Sequence, residues 1–167
     1  SGGNPEYAAI LDNFCWPDPV ESSSTPDGKY KLAQLVSACK GLYKAATDYS
    51  LPLISGKDSM KNDANIGGKK VSVRPTLLIS LIGIIDNTEK AVTTDFKEEG
   101  DAVYIIGSTG GELGGTFYEK LSGNGNLGMA PLADTEKAFP LYKKLHEAMS
   151  EGLVRSCHDI SDGGLAV

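Results

Sequence analysis

The stretch VSVRPTLLISLIGII, residues 71–85, is the longest apolar tract in the chain. Pro75 keeps a helix out of its first part, because proline lacks an amide donor and forces the residue before it into an extended conformation. Beyond Pro75 the side chains are almost all leucine and isoleucine, as expected of a buried strand. The tract therefore predicts an extended lead-in and then a strand, with most of 71–85 in that state. Such a strand needs neighbours. YAAILD and the residues after it predict one over 7–14, leading into the aromatic and proline-rich NFCWPDP. LPLIS predicts another over 52–56, with Pro52 at its edge or start. AVYIIG at 102–107 and LVRSCHD at 153–159 complete the set.

Helical spacing stands between these tracts. Leu32, Leu35, Val36, Cys39, Leu42, Tyr43 and Ala46 recur with the period of an amphipathic helix over 30–48, which makes Cys39 a core thiol. Residues 140–151 predict a second helix, bent or begun by Pro140, with Gly152 as its C-cap and Asp134 capping a short turn before it. His146 falls among the apolar positions of that helix. ELGGTFYEKL reads as partly helical, while KNDANIGGKK and GNGNLGMAPL read as polar loops. The glycines of GGELGG lack dinucleotide-fingerprint spacing and suit a flexible helix start. Strands and helices mixed in this order place the chain in the α/β (α+β) class. The acidic FKEEGD marks a boundary, giving units 1–98 and 99–167.

At 167 residues the chain is long enough for one ordinary domain or parts of two small ones. A formal charge of −6 argues against a broad nucleic-acid surface but leaves local phosphate binding open. Cys15, Cys39 and Cys157 are odd in number and far apart, which suggests neither a disulfide framework nor a zinc pair. No apolar run approaches 18 residues and no secretory leader is visible, so a cytoplasmic setting without a membrane is expected.

Two short motifs can carry chemistry. In HDISDGG, 158–164, the predicted strand delivers His158 and Asp159 to its end, and the glycines free backbone amides at a helix start. Amides so placed bind phosphate oxygens, and a nearby carboxylate can hold Mg2+ against the same phosphates. The plainer alternative is that Ser161 or Asp162 caps the following helix, and one does not exclude the other. His158 suits orientation of the loop better than general-base work, since no nucleophile stands beside it. SGKDS, 55–59, fails the phosphate-loop pattern, because Gly56-Lys57 is followed by Asp58. It is either a charged turn after a strand, or a place where Lys57 neutralises an anion and Ser59 hydrogen-bonds it.

Taken together, LDNFCWPDP, LISGKDSMKND and EGLVRSCHDISDGGLAV, in this order and at these separations, resemble the C-terminal half of the phosphoribosylformylglycinamidine synthase family. FKEEGDAVYIIG and GELGGTFYEKL fit as well, so the resemblance covers nearly the whole chain. The wider superfamily includes aminoimidazole ribonucleotide synthetase, which is similar in fold but poorer in these motifs. The resemblance implies a partial aminoimidazole ribonucleotide synthetase-like fold: residues 1–98 as the later part of an α/β subdomain, 99–167 as the first part of a C-terminal α+β subdomain. It implies an ATP-dependent ligase of purine synthesis. That enzyme activates the amide oxygen of formylglycinamide ribonucleotide with ATP, and ammonia from glutamine displaces phosphate. Mg2+ and ATP are the implied cofactors. The N-terminal half of the same enzyme and a glutaminase domain or subunit are the implied partners.

Carried over position by position, Asp159 matches a Mg2+-binding aspartate and Ser161 a nucleotide-contacting serine. Gly56 and Ser59 match nucleotide and substrate contacts of the shorter forms. Lys57 stands where those forms have a metal-bound asparagine. A protonated lysine is no metal ligand, so Lys57 is expected to bring positive charge directly. Asn13 lies in a matching loop, but the aspartate expected three residues earlier is Ile10, and no ligand role passes to that position. The family's catalytic histidine and its helix-borne glutamate and asparagine ligands are expected upstream. No catalytic residue is therefore assigned here, and the isolated chain is expected to be inactive. Two alternatives stand beside this: an auxiliary or structural nucleotide-binding half-module, and a related aminoimidazole ribonucleotide synthetase-type ATP enzyme.

Overall fold

The structure is a computed structural model that describes residues 2–108 and 110–165. Two compact units divide the chain, Ser1–Ala91 and Val92–Val167. In the first, strand β1 (Ala8–Cys15) leads through helix α1 (Gly28–Asp48) to strand β2 (Leu53–Ser59), which pairs with β1 in parallel. Strand β5 (Thr76–Gly83) lies antiparallel on the other side of β1, so the sheet order is β2-β1-β5. A parallel pair needs a crossover connection, and the helical period of 30–48 supplies it. β1 is the central strand.

Because side chains alternate across a strand, β1 sorts its residues onto two faces. Ile10, Asp12 and Phe14 share one face; Leu11, Asn13 and Cys15 share the other. The first is the core face, where Ile10 is 3% and Phe14 5% exposed. Trp16, just beyond the strand, is also buried, and its ring lies 6.0 Å from that of Phe14. The Trp16 indole Nε1 donates to the Lys31 carbonyl at 3.0 Å, which fastens the end of β1 to the first turn of α1. Burying a side chain the size of Phe14 contributes about 1.5–3 kcal/mol. Gly28, the first residue of α1, admits no side chain: a Cβ there would lie 2.6 Å or less from the backbone of Val20 and Glu21.

KNDANIGGKK is a β-hairpin, not the expected loop. β3 (Asp63–Ile66) pairs antiparallel with β4 (Lys69–Ser72). Gly67 and Gly68 turn between them with φ of 58° and 77°, the two positive values that a tight two-residue hairpin requires. A polar strap ties this hairpin to the segment before α1. Lys70 Nζ donates to Thr25 Oγ1 at 2.5 Å and stands 3.3 Å from Asp63 Oδ2 and 3.7 Å from Asp18 Oδ2. Lys31, itself buried, reaches Asp27 at 3.0 Å and the Ser72 hydroxyl at 3.2 Å. Burial pushes the Asp63 carboxyl up, but the Ser72 hydroxyl, the Asp18 amide and the Lys70 ammonium outweigh it and hold the group below its ordinary value.

The apolar tract at 71–85 divides as its proline demands: 71–72 end β4, 73–75 are irregular, and 76–83 are β5. Its expected burial is not found. Leu78, Ile79, Leu81 and Ile82 are exposed: β5 is an edge strand, paired with β1 alone among the described residues, and these side chains stand on faces that the described residues leave uncovered. α1 corrects a further expectation. Its half-buried positions are Leu35, Ala38, Leu42, Ala45 and Ala46, whereas Leu32, Val36, Cys39 and Tyr43 are exposed. The apolar stripe is wider than the surface it covers, and Cys39 falls on the open part, so it is not a core thiol.

Among the described residues of the second unit two helices form and no strand does. α3 (Thr135–Ser150) begins five residues before Pro140 and runs through it. The Asp134 carboxylate accepts from the Lys137 amide at 3.2 Å, and Gly152 follows the helix with φ of 75°, so start and stop lie where capping chemistry puts them. α2 (Phe117–Ser122) is capped by Thr116, whose hydroxyl accepts from the Glu119 amide at 3.3 Å. The Glu119 carboxylate takes the amides of Gly115 and Leu127, each at 2.6 Å, and these bonds hold it below its ordinary pKa. AVYIIG at 102–107 is not a strand, and Tyr104 is 82% exposed. LVRSCHD makes only one parallel bridge, Thr93 with Ser156, extended by the Cys157 amide donating to the Thr93 carbonyl at 3.1 Å. A strand exists only when its amides find a second chain segment along their length; among the described residues LVRSCHD has this single bridge and AVYIIG has none.

Candidate functional site

SGKDS is strand, not a turn. β2 runs on through Ser59 because its pairing with β1 continues to the end, Lys57 opposite Asn13, Asp58 opposite Phe14 and Ser59 opposite Cys15. The charged-turn alternative is thereby removed. Alternation then sorts the motif. Ser55, Lys57 and Ser59 project on the face of Leu11, Asn13 and Cys15, while Gly56 and Asp58 lie on the core face with Asp12 and Phe14. The Lys57 ammonium donates to the Ser59 hydroxyl two residues along, so cation and hydroxyl converge on one point of the sheet. Lys57 is exposed and Ser59 half-buried.

Gly56 meets a neighbour of its own. A Cβ built there would collide with the Asp12 carboxylate, which occupies the space left by the missing side chain. The alternation of LDNF could have shown this separation, since consecutive residues of a strand face opposite ways. Asp12 was not singled out. Asp58, next along the strand, turns to the core face and away from the Lys57 ammonium. At the end of the polar face, the Asn62 carboxamide donates to Cys15 Sγ at 3.0 Å.

The other motif lies in the second unit, and each is described within its own. Asp159 and Ser161 are exposed, and the Asp159 side chain is 87% exposed. His158 Nδ1 stands 3.4 Å from the Asp159 carboxylate and contacts its carbonyl oxygen, which fits a histidine that orients the loop. The Gly164 amide donates to the Ser161 carbonyl at 3.1 Å, closing a turn in which Gly163 and Gly164 take φ of 91° and 76°. The helix expected to open in ISDGGLAV reaches Ala166 and Val167, which lie outside the described residues. Among the described residues no group of three or more histidine, cysteine, aspartate or glutamate side chains is placed to enclose a metal. No helix among them is long and apolar enough to cross a membrane.

Residues 98–167 match the family described as AIR synthase related protein, C-terminal domain, and the chain has the mixed α/β fold described above. Its relatives narrow the class. The chain is 35% identical over 164 residues, 97% of its length, to phosphoribosylformylglycinamidine synthase subunit PurL of Methanocaldococcus jannaschii. To the PurL subunit of Caldanaerobacter subterraneus subsp. tengcongensis it is 35% identical over 141 residues, 84% of its length. To that of Parasynechococcus marenigrum it is 32% identical over 170 aligned positions, 97% of its length. The chain spans about a fifth of these relatives: 21%, 19% and 21%. No solved structure matches it.

Proposed function

We propose that the chain works as a segment of a phosphoribosylformylglycinamidine synthase, the ligase that converts formylglycinamide ribonucleotide, glutamine and ATP into formylglycinamidine ribonucleotide, glutamate, ADP and phosphate. The observation that carries this is the 35% identity to a PurL subunit over 97% of the chain. In this proposal residues 1–98 close one α/β subdomain, 99–167 open the next, and the chain contributes one wall of a nucleotide cleft in the cytoplasm. The remainder of the synthase and a glutaminase domain or subunit are its partners.

Lys57 and Ser59 hold an anionic group of nucleotide or substrate, the ammonium by charge and the hydroxyl by hydrogen bonding. Gly56, just before Lys57 in sequence, turns its vacant side-chain position to the opposite face, where the Asp12 carboxylate fills it, so any contact it makes with the nucleotide is through its backbone. Ser161 contacts nucleotide. Asp159 suits Mg2+: it is a hard, exposed oxygen donor, and Mg2+ in nucleotide sites is held by one or two carboxylates with phosphate oxygens completing the shell. When bound, that ion would neutralise phosphate charge. The chain's own contribution is to orient Asp159 through His158 and the two-glycine turn behind it.

The test is made in an intact synthase carrying this sequence. Asp159→Ala is expected to abolish formation of formylglycinamidine ribonucleotide while leaving the thermal melt nearly unchanged. Full turnover, with loss only of bound nucleotide or of stability, would instead mark this half as an auxiliary nucleotide module.

A further inference from the structure

The polar face of the sheet contains a carboxamide that the proposal above does not use. Asn13 sits on central strand β1, directly opposite Lys57 and on the same face, and β5 presents only Leu78 on its other side. Adjacent strands lie about 4.8 Å apart, which brings the Asn13 carboxamide within reach of anything the Lys57 ammonium holds. It is half-buried, yet among the described residues it makes no hydrogen bond. Its polar atoms are not among the buried unpaired ones, so solvent reaches the carboxamide and it is available to a ligand oxygen. The next rung is closed, since Cys15 receives Asn62 there. Asp12 and Asp58 are turned to the opposite face, so no carboxylate from either residue enters this one.

We infer that Asn13 is a ligand-contacting residue of the Lys57–Ser59 site, its carboxamide donating to an oxygen of the same phosphate-type anion. This rests on Lys57 and Ser59 binding an anion, as proposed above. The three side chains then offer an ammonium, a hydroxyl and an amide N–H from adjacent strands. A tetrahedral oxyanion, with several acceptor oxygens, can engage all three at once; a neutral group cannot use the charge.

The test uses an intact synthase carrying this sequence and isotherms for two probes, ADP and formylglycinamide ribonucleotide. Lys57→Met identifies which probe depends on this face. For that probe Asn13→Ala is expected to weaken binding roughly fivefold and Asn13→Asp by more than about tenfold, as losing one hydrogen bond differs from adding a repelling carboxylate. An Asn13→Asp loss greater than that of Asn13→Ala, with an unchanged thermal melt, is what a merely structural role would not produce. Asn13→Ser covers the case in which Asn13→Asp misfolds, with a loss smaller than that of Asn13→Ala. If Lys57→Met weakens a probe and none of the Asn13 variants does, Asn13 is no ligand residue and the Lys57 site stands. If Lys57→Met weakens neither, both ideas fall.

Discussion

The two units hold apolar tracts of similar strength and treat them differently. In the first, Ala8–Cys15 and Thr76–Gly83 pair over eight rungs, and Ile10 and Phe14 of the central strand are buried. In the second, AVYIIG carries more β-branched and aromatic residues than either and remains irregular, with Val103 and Tyr104 exposed. Helices form equally well in both, because each closes its hydrogen bonds within itself and needs only caps and local period. A strand draws its bonds from elsewhere. The difference teaches that strand propensity describes a tract's readiness to pair, and that pairing is settled by what lies beside it.

The largest expected effect separates the units directly. Phe14→Ala should destabilise the first unit by about 3–5 kcal/mol, the cost of emptying a packed aromatic site. Ile106→Ala, on the irregular tract, should cost less than about 0.5 kcal/mol. Denaturant melts followed by hydrogen exchange in β1 and α3 would show both; equal effects would mean that the 102–107 tract is packed after all. Next comes Lys57→Met in an intact synthase. It should cost about 1.5–3 kcal/mol of nucleotide or substrate binding, roughly ten- to a hundredfold in affinity, with little change in melting. Unchanged affinity with a lowered melt would make Lys57 a structural partner of Ser59.

A smaller effect tests local order in the second unit. Thr116→Ala removes the hydroxyl that caps α2 and should cost about 1 kcal/mol of that helix, read by amide exchange at Glu119. The smallest concerns pH in the first unit. Asp63 has a folded pKa below its ordinary value, so its carboxylate adds stability above the unfolded pKa near 3.8 and loses it as pH falls toward the lowered value. The melt of the first unit should therefore drop below about pH 4, and Asp63→Asn should flatten that part of the profile. A profile unchanged by Asp63→Asn would show that the strap of Lys70, Asp18 and Asp63 does not couple to folding.

Much of this was legible in the chain itself. The period of Leu35, Leu42 and Ala46 set α1, Gly152 set the end of α3, and Pro75 set the break before β5, because each is a matter of local stereochemistry; the start of α3 falls just after Asp134 and not at the expected Pro140. The motifs around Lys57 and Asp159 were visible as well, and LISGKDSMKND with HDISDGG pointed to the family that the PurL relatives bear out. The tertiary structure alone decided what lies across from what. It placed Asn13 opposite Lys57, set the Asp12 carboxylate over Gly56, turned ANIGGKKV into a hairpin, and left Cys39 in the open. Register and coverage are relations between distant segments, and a one-residue shift in β1 would exchange its polar and core faces while leaving every local signal unchanged.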